Sequence, residues 1–272
     1  MEPILPTEYL PRPEGRIAYD VRGTGRLIVC VAGMGDTRAT FRYLAPALAE
    51  AGHRVAVMEL RGHGDSDVTF TAYDDPAAAT DVLALIEHLG GPATVVGHSM
   101  GAAAGVIAAS QRPDLVEALV LVGPFVREPA VNPLLRMTMW AAMQPAWAKA
   151  VWRRYLPSLY AGRRPDDFQT HVDAVITAIA APGHTRAFVR TTRSTHHPAG
   201  AALSGVTAPT LVVMGQLDPD FKNPAAEADW IRTALDAQVV MVPEAGHYPH
   251  SQRPDLVVPA VLAFLESVAS DA

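Results

Sequence analysis

The chain has 272 residues, of which 49% are apolar and 18% charged, and a formal net charge of −6. This balance supplies apolar surface for a large core and excludes a disordered polyelectrolyte. The dispersed negative excess offers no basic stripe to phosphates, so a small-molecule substrate is expected, with no nucleic acid and no membrane as partner.

In chain order, Met1 to Pro6 shows neither the basic flank nor the continuous apolar stretch of a signal peptide. No run approaches bilayer length, so a cytoplasmic protein is expected. Arg16 to Val21 reads as an antiparallel edge strand. Leu27 to Val31, Arg54 to Glu59, Ala93 to Val96, Ala118 to Val122, Thr210 to Met214 and Gln238 to Val242 are short, β-branched and apolar on both faces, as buried parallel strands should be. Cys30, the single cysteine, lies in the first of these runs, which excludes an intramolecular disulfide and reads as a buried thiol.

Between the strands, Thr37 to Glu50, Asp74 to Leu89, Met100 to Gln111, Pro224 to Ala237 and Pro254 to Val268 carry helical apolar spacing. The alternation predicts an α/β fold with a doubly wound, mostly parallel sheet and ligands at the carboxyl ends of its strands. One long interval breaks the rhythm. It holds helical stretches at Pro133 to Tyr155, Pro165 to Ala180 and His184 to Ser194, and a return connection at Pro198 to Pro209. This predicts a core in two parts, residues 1–123 and 208–272, with a helical cap, residues 124–207, inserted between the sixth and seventh core strands. Trp140, Trp147 and Trp152 either pack the cap on the core or line a substrate pocket. Arginines are frequent there (Arg127, Arg136, Arg153, Arg154, Arg163, Arg164, Arg186, Arg190, Arg193), mainly as a solvated face, with one or two available to hold an acidic substrate group.

Chemistry concentrates at Gly97-His98-Ser99-Met100-Gly101. A buried strand precedes this G-x-S-x-G pattern and a helix of small residues follows it, which predicts a strained strand-to-helix elbow presenting Ser99 Oγ above the sheet. A serine hydroxyl needs a base, and His247 follows the last strand at the same sheet edge. His250 competes for that role but reads as a surface or helix-start residue. A carboxylate must then hold the imidazole, and Asp218, just past the strand Thr210 to Met214, satisfies the order Ser, Asp, His. Asp220 is an alternative beside it and Glu128 a rival after the preceding strand.

These residues make the chain resemble the α/β-hydrolase superfamily of serine hydrolases with a helical cap, over essentially its whole length. Val31-Ala32-Gly33-Met34-Gly35 is similar to the family's oxyanion loop, which implies that the amides of Met34 and Met100 form the oxyanion hole. Ala32 stands where many relatives carry histidine. Arg61-Gly62-His63-Gly64-Asp65-Ser66 resembles a family turn and reads as structural. His63 and His98 lack metal-ligand spacing, and the glycine clusters at Gly23 and Gly33 lack the rest of a nucleotide fingerprint, so neither metal nor cofactor is expected. The resemblance implies hydrolysis of a carboxylic ester or lactone, with carbon-carbon bond hydrolysis, cofactor-free perhydrolysis or ligand sensing on the same scaffold as alternatives. A serine at the elbow opposes epoxide and haloalkane chemistry, which needs an aspartate there. A monomer or homodimer is expected.

Overall fold

The computed structural model describes residues 5–128 and 133–270, apart from the side chains of Pro133, Leu135 and Arg136. The first four residues of the N-terminal stretch and the side chain of Arg136 therefore lie outside the described residues.

The strands are β1 (Glu8–Arg12), β2 (Gly15–Arg22), β3 (Leu27–Val31), β4 (Arg54–Met58), β5 (Ala93–His98), β6 (Val116–Val122), β7 (Thr210–Gly215) and β8 (Gln238–Val242). They form one eight-stranded sheet in the order β1-β2-β4-β3-β5-β6-β7-β8. β1 pairs antiparallel with β2, β2 antiparallel with β4, and all other pairs are parallel. The strand expected at the edge, β2, is thus covered by β1. Pro11 and the alternating polar residues of β1 suit an edge that bonds on one side only, and they hide it from a search for apolar runs.

The helices are α1 (Leu44–Glu50), α2 (Asp75–Leu89), α3 (Met100–Gln111), α4 (Pro133–Ala142), α5 (Ala148–Leu159), α6 (Phe168–Ala180), α7 (His184–Thr191), α8 (His197–Ala202), α9 (Pro224–Leu235), α10 (Pro249–Gln252) and α11 (Pro254–Ser270). Along β3, Val29 and Val31 face one core with α2, α3 and α9, whereas Ile28 and Cys30 face a second with α1 and α11. Both sheet faces are therefore dry along β3 to β7, which is why these strands read as unbroken apolar runs; β8, expected to be buried, is an edge strand in which only Val242 is buried.

Two helices expected as single pieces are broken, each at a proline. Thr37 to Glu50 is a 3₁₀ turn at Arg38–Phe41 followed by α1, because Pro46 lacks an amide donor and fits only the first turn of a helix. Pro133 to Tyr155 divides into α4 and α5 around Pro145 for the same reason. The return connection also folds further than expected, into α8 and a 3₁₀ turn at Leu203–Gly205.

Helices α4 to α8 occupy the interval between β6 and β7. α5, α6 and α7 have their own apolar cluster, with Trp152, Leu156, Phe168, Val175, Ile176 and Phe188 among its members. Tyr248, from the loop after β8, completes it and stacks on Tyr160 at 4.4 Å and 8°. Helices α5 to α7 are thereby packed against the loop that carries His247.

Candidate active site

Ser99 sits between β5 and α3 with φ 55° and ψ −118°, a conformation that costs a residue with a side chain about 1–3 kcal/mol. Its amide donates to Val122 O at 2.9 Å, and its carbonyl accepts from Ala102 N at 3.0 Å. The flanking glycines are required by proximity. A Cβ at Gly97 would stand 2.3 Å from Gly101 O, and one at Gly101 would stand 2.3 Å from Val31 O. The first amides of α3 have no acceptor within the helix, so the Met100 amide is available beside Ser99.

Asp218 follows β7 and His247 follows β8, and both are buried. His247 Nδ1 donates to Asp218 Oδ2 at 2.8 Å, which directs Nε2 away from the carboxylate. Asp220 Oδ2 lies 3.7 Å from the same Nδ1, and Asp220 N donates to Asp218 Oδ1 at 3.0 Å. Burial opposes a charge on His247, but Asp218 and, more weakly, Asp220 outweigh it and push the imidazole up to about 9. Burial raises the Asp220 carboxyl above its ordinary value. Ligand-type atoms of Asp218, Asp220 and His247 all lie within 4.8 Å of one another, but the hydrogen bond between Asp218 and His247 already uses the Nδ1 position.

The loop after β3 passes directly over Ser99, since a Cβ at Gly33 would stand 2.8 Å from Ser99 Cβ. Gly35, at φ 71°, donates its amide to His63 Nε2 at 3.0 Å. His63 Nδ1 bonds Arg61 O at 2.9 Å, and because a carbonyl only accepts, Nδ1 carries the proton and Nε2 is free to accept from Gly35. Burial pushes His63 down to about 4 and keeps it neutral for this role. The turn read from the sequence as merely structural therefore also supports the loop after β3. Its signal was the histidine inside Arg61-Gly62-His63-Gly64, in a chain that lacks one at Ala32. Further along, buried Asp36 accepts from Thr37 N at 2.7 Å and lies 3.3 Å from His171 Nε2 of α6. Burial opposes the Asp36 charge, but His171 holds the carboxyl below its ordinary value.

The profile of the Alpha/beta hydrolase family matches residues 28–260. The chain belongs to this family. It is 30% identical over 262 residues to a 2-(acetamidomethylene)succinate hydrolase of Mesorhizobium japonicum, covering 93% of each protein. It is 26% identical over 272 residues to a soluble epoxide hydrolase of Corynebacterium sp., covering 92% of this chain and 93% of that protein. A bromoperoxidase structure from Bacillus anthracis superposes with a TM-score of 0.81 over 93% of this chain and 96% of that one, at 22% identity, a likeness of fold. Among the described residues of this alpha/beta hydrolase, no helix is long and apolar enough to cross a membrane.

The rival residues have other partners here. Glu128 accepts from Thr195 Oγ1 at 2.7 Å and from His196 N at 2.9 Å, at the start of α8. His250 is not on the surface. It is fully buried in the first turn of α10, 3.0 Å from Thr40 Oγ1, with its ring 4.8 Å from that of His98, and burial drives it well below its ordinary value.

The three cap tryptophans divide. Trp152 is buried and donates from Nε1 to Gly35 O at 2.9 Å, so it packs α5 on the loop after β3. Trp140 and Trp147 are 56% and 51% exposed, which leaves them outside any enclosed cavity. The apolar wall nearest the base was missed from the sequence: the Phe125 ring lies 5.7 Å from His247 and 5.0 Å from Phe221. Four arginines of the segment between β6 and β7 are held against neighbouring side chains or backbone. Arg127 pairs with Glu227 and covers Trp230 at 3.7 Å, Arg164 covers Phe168 at 4.6 Å, Arg190 reaches Phe70 O at 3.3 Å and Arg193 covers Trp140 at 5.5 Å.

Proposed function

We propose that this protein hydrolyses a carboxylic ester or lactone of a small, partly apolar molecule through an acyl-enzyme on Ser99. The observation that carries this reading is the strained Ser99 elbow joined to an imidazole whose Nδ1 is held by buried Asp218 at 2.8 Å. Strain at an elbow serves nucleophile presentation, and a histidine fixed at Nδ1 offers Nε2 as base.

In this reading Ser99 Oγ forms a bond to the ester carbonyl carbon while its proton passes to His247 Nε2. The tetrahedral oxyanion is held by the Met34 and Met100 amides, each donor contributing roughly 3 kcal/mol. Collapse breaks the bond to the leaving alkoxide, which takes the proton from His247. Water then adds to the acyl-enzyme with His247 as base, the acid is released, and Ser99 recovers its proton. Phe125 and Phe221 suit an apolar portion of the substrate, and Asp220, facing the imidazole, disfavours an anionic group beside it. Ser99 at the elbow supports ester chemistry over attack by a carboxylate on an epoxide.

The test is hydrolysis of a p-nitrophenyl ester series by wild type and Ser99→Ala, with fluorophosphonate labelling read by intact mass. The expected result is turnover and a single adduct on Ser99, both lost in the variant, with the rate falling by several orders of magnitude. Labelling without turnover of any ester would favour a carbon-carbon bond or perhydrolase substrate, or a ligand sensor. Absence of both would overturn the nucleophile assignment.

A further inference from the structure

Two side chains on one face of α5 and the main-chain carbonyl of its last residue reach the three loops of the candidate site. Trp152, Tyr155 and Leu159 stand at helical positions i, i+3 and i+7, so they share a face. Trp152 Nε1 donates to Gly35 O on the oxyanion loop at 2.9 Å. Tyr155 OH donates to Asp220 Oδ1 on the loop that carries Asp218. Leu159 O, at the end of the helix, accepts from His247 N at 2.8 Å. The rings of Trp152 and Tyr155 lie 5.7 Å apart, so the first two contacts are also packed against each other.

We propose that α5 is a positioning helix that holds the oxyanion, acid and histidine loops in one register, with Tyr155 acting through Asp220 on the imidazole of His247. The inference rests on the serine-hydrolase reading above. Asp220 is the intermediary because its two oxygens face different partners: Oδ1 takes the phenol, and Oδ2 stands 3.7 Å from His247 Nδ1, too far for a hydrogen bond. The phenol thus draws charge to the far oxygen and keeps the carboxylate off the base. The titratable groups facing His247 are Asp218 and Asp220 from the loop after β7, neutral His98 from the elbow, Tyr248 from its own loop and neutral His250 of α10, with Asp36 of the loop after β3 further off. Among these groups, Asp220 accepts a hydrogen bond from an α5 side chain.

A movement of the cap that shifts α5 would reach the oxyanion loop and the base together. Pro157, inside α5 between Tyr155 and Leu159, weakens the backbone ladder there, so the side chains rather than the helix itself must keep the spacing.

The experiment follows the rate of Ser99 labelling by a fluorophosphonate as a function of pH, which reads nucleophile activation without the natural substrate. It compares wild type, Tyr155→Phe, Asp220→Asn, the double variant and Trp152→Phe, each with a thermal melt. Tyr155→Phe should move the midpoint of the labelling curve upward and slow labelling at neutral pH about fivefold, as loss of one hydrogen bond predicts. Asp220→Asn should move the midpoint downward, and adding Tyr155→Phe to it should leave that midpoint unchanged. Trp152→Phe, which keeps an aromatic ring but removes the Nε1 donor, should slow labelling at every pH with no change of midpoint. A Tyr155→Phe midpoint equal to wild type, or a shift that persists in the Asp220→Asn background, would overturn the proposal even if the melts change. A wild type that is never labelled would overturn the serine reading, and this inference with it.

Discussion

His98 and His247 are locked ring to backbone: His98 Nε2 donates to the His247 carbonyl at 3.0 Å, with the two rings 4.9 Å apart. The residue beside Ser99 thus fixes the main chain of His247. A carbonyl accepts only, so Nε2 carries the His98 proton, and burial pushes this imidazole down to about 3, keeping it neutral. His98→Phe retains a ring but leaves the His247 carbonyl without its donor. Urea denaturation should show a loss of about 1–3 kcal/mol, the cost of a buried unsatisfied group. An unchanged midpoint would mean that the bond contributes nothing.

The pH profile follows from the elevated imidazole. In the proposed mechanism His247 must be neutral to take the Ser99 proton, and Asp218 with Asp220 hold it up to about 9 against its burial. Ester hydrolysis should therefore climb through the alkaline range and level off above pH 9. Asp218→Asn should lower the midpoint and cut kcat by about 10⁴-fold through loss of the correct tautomer. A profile already flat from pH 6 would contradict the pairing.

The same pair has a stability signature of definite sign. The folded value of His247 lies above its ordinary 6.5, so its contribution is complete below about pH 6.5 and is lost as pH rises through about 9. Melting temperature should fall between pH 7 and pH 10 in wild type, and by less in Asp218→Asn. Parallel curves for the two proteins would refute this linkage.

Gly101 tests the elbow without touching a catalytic side chain. Its missing Cβ would meet Val31 O at 2.3 Å, backbone against backbone, with no flexible group to give way. Gly101→Ala should cost at least about 1–3 kcal/mol by overpacking and also displace Ser99. The check is chemical denaturation together with the labelling rate, and both should fall.

Cys30 offers a simple probe of burial. It has no measurable exposure, and burial raises its thiol far above the ordinary value. Iodoacetamide should leave the native protein unmodified and alkylate one thiol in denaturant. Rapid alkylation of the folded protein would show that the sheet face around β3 opens.

What the sequence determined by itself is what depends on near neighbours in the chain. The apolar runs of β3 to β7 reflect cover on both faces of the sheet, and the Ser99 elbow is announced by its flanking glycines, of which Gly97 is required by the same turn and helix and Gly101 by Val31 of β3. Pro46 and Pro145 were equally legible as helix breaks, since a missing amide donor is a local property, but apolar periodicity drew attention past them. The tertiary structure alone decided the rest. β1 has no apolar run and exists because β2 offers it a free edge. Asp218 and Glu128 both follow a strand, and only the distance to His247 and the bonds of Glu128 to Thr195 and His196 separate them. His63, His98 and Tyr155 act on groups 28, 149 and 65 residues away. No local spacing records such pairings, because they arise where loops from separate strands meet at one edge of the sheet.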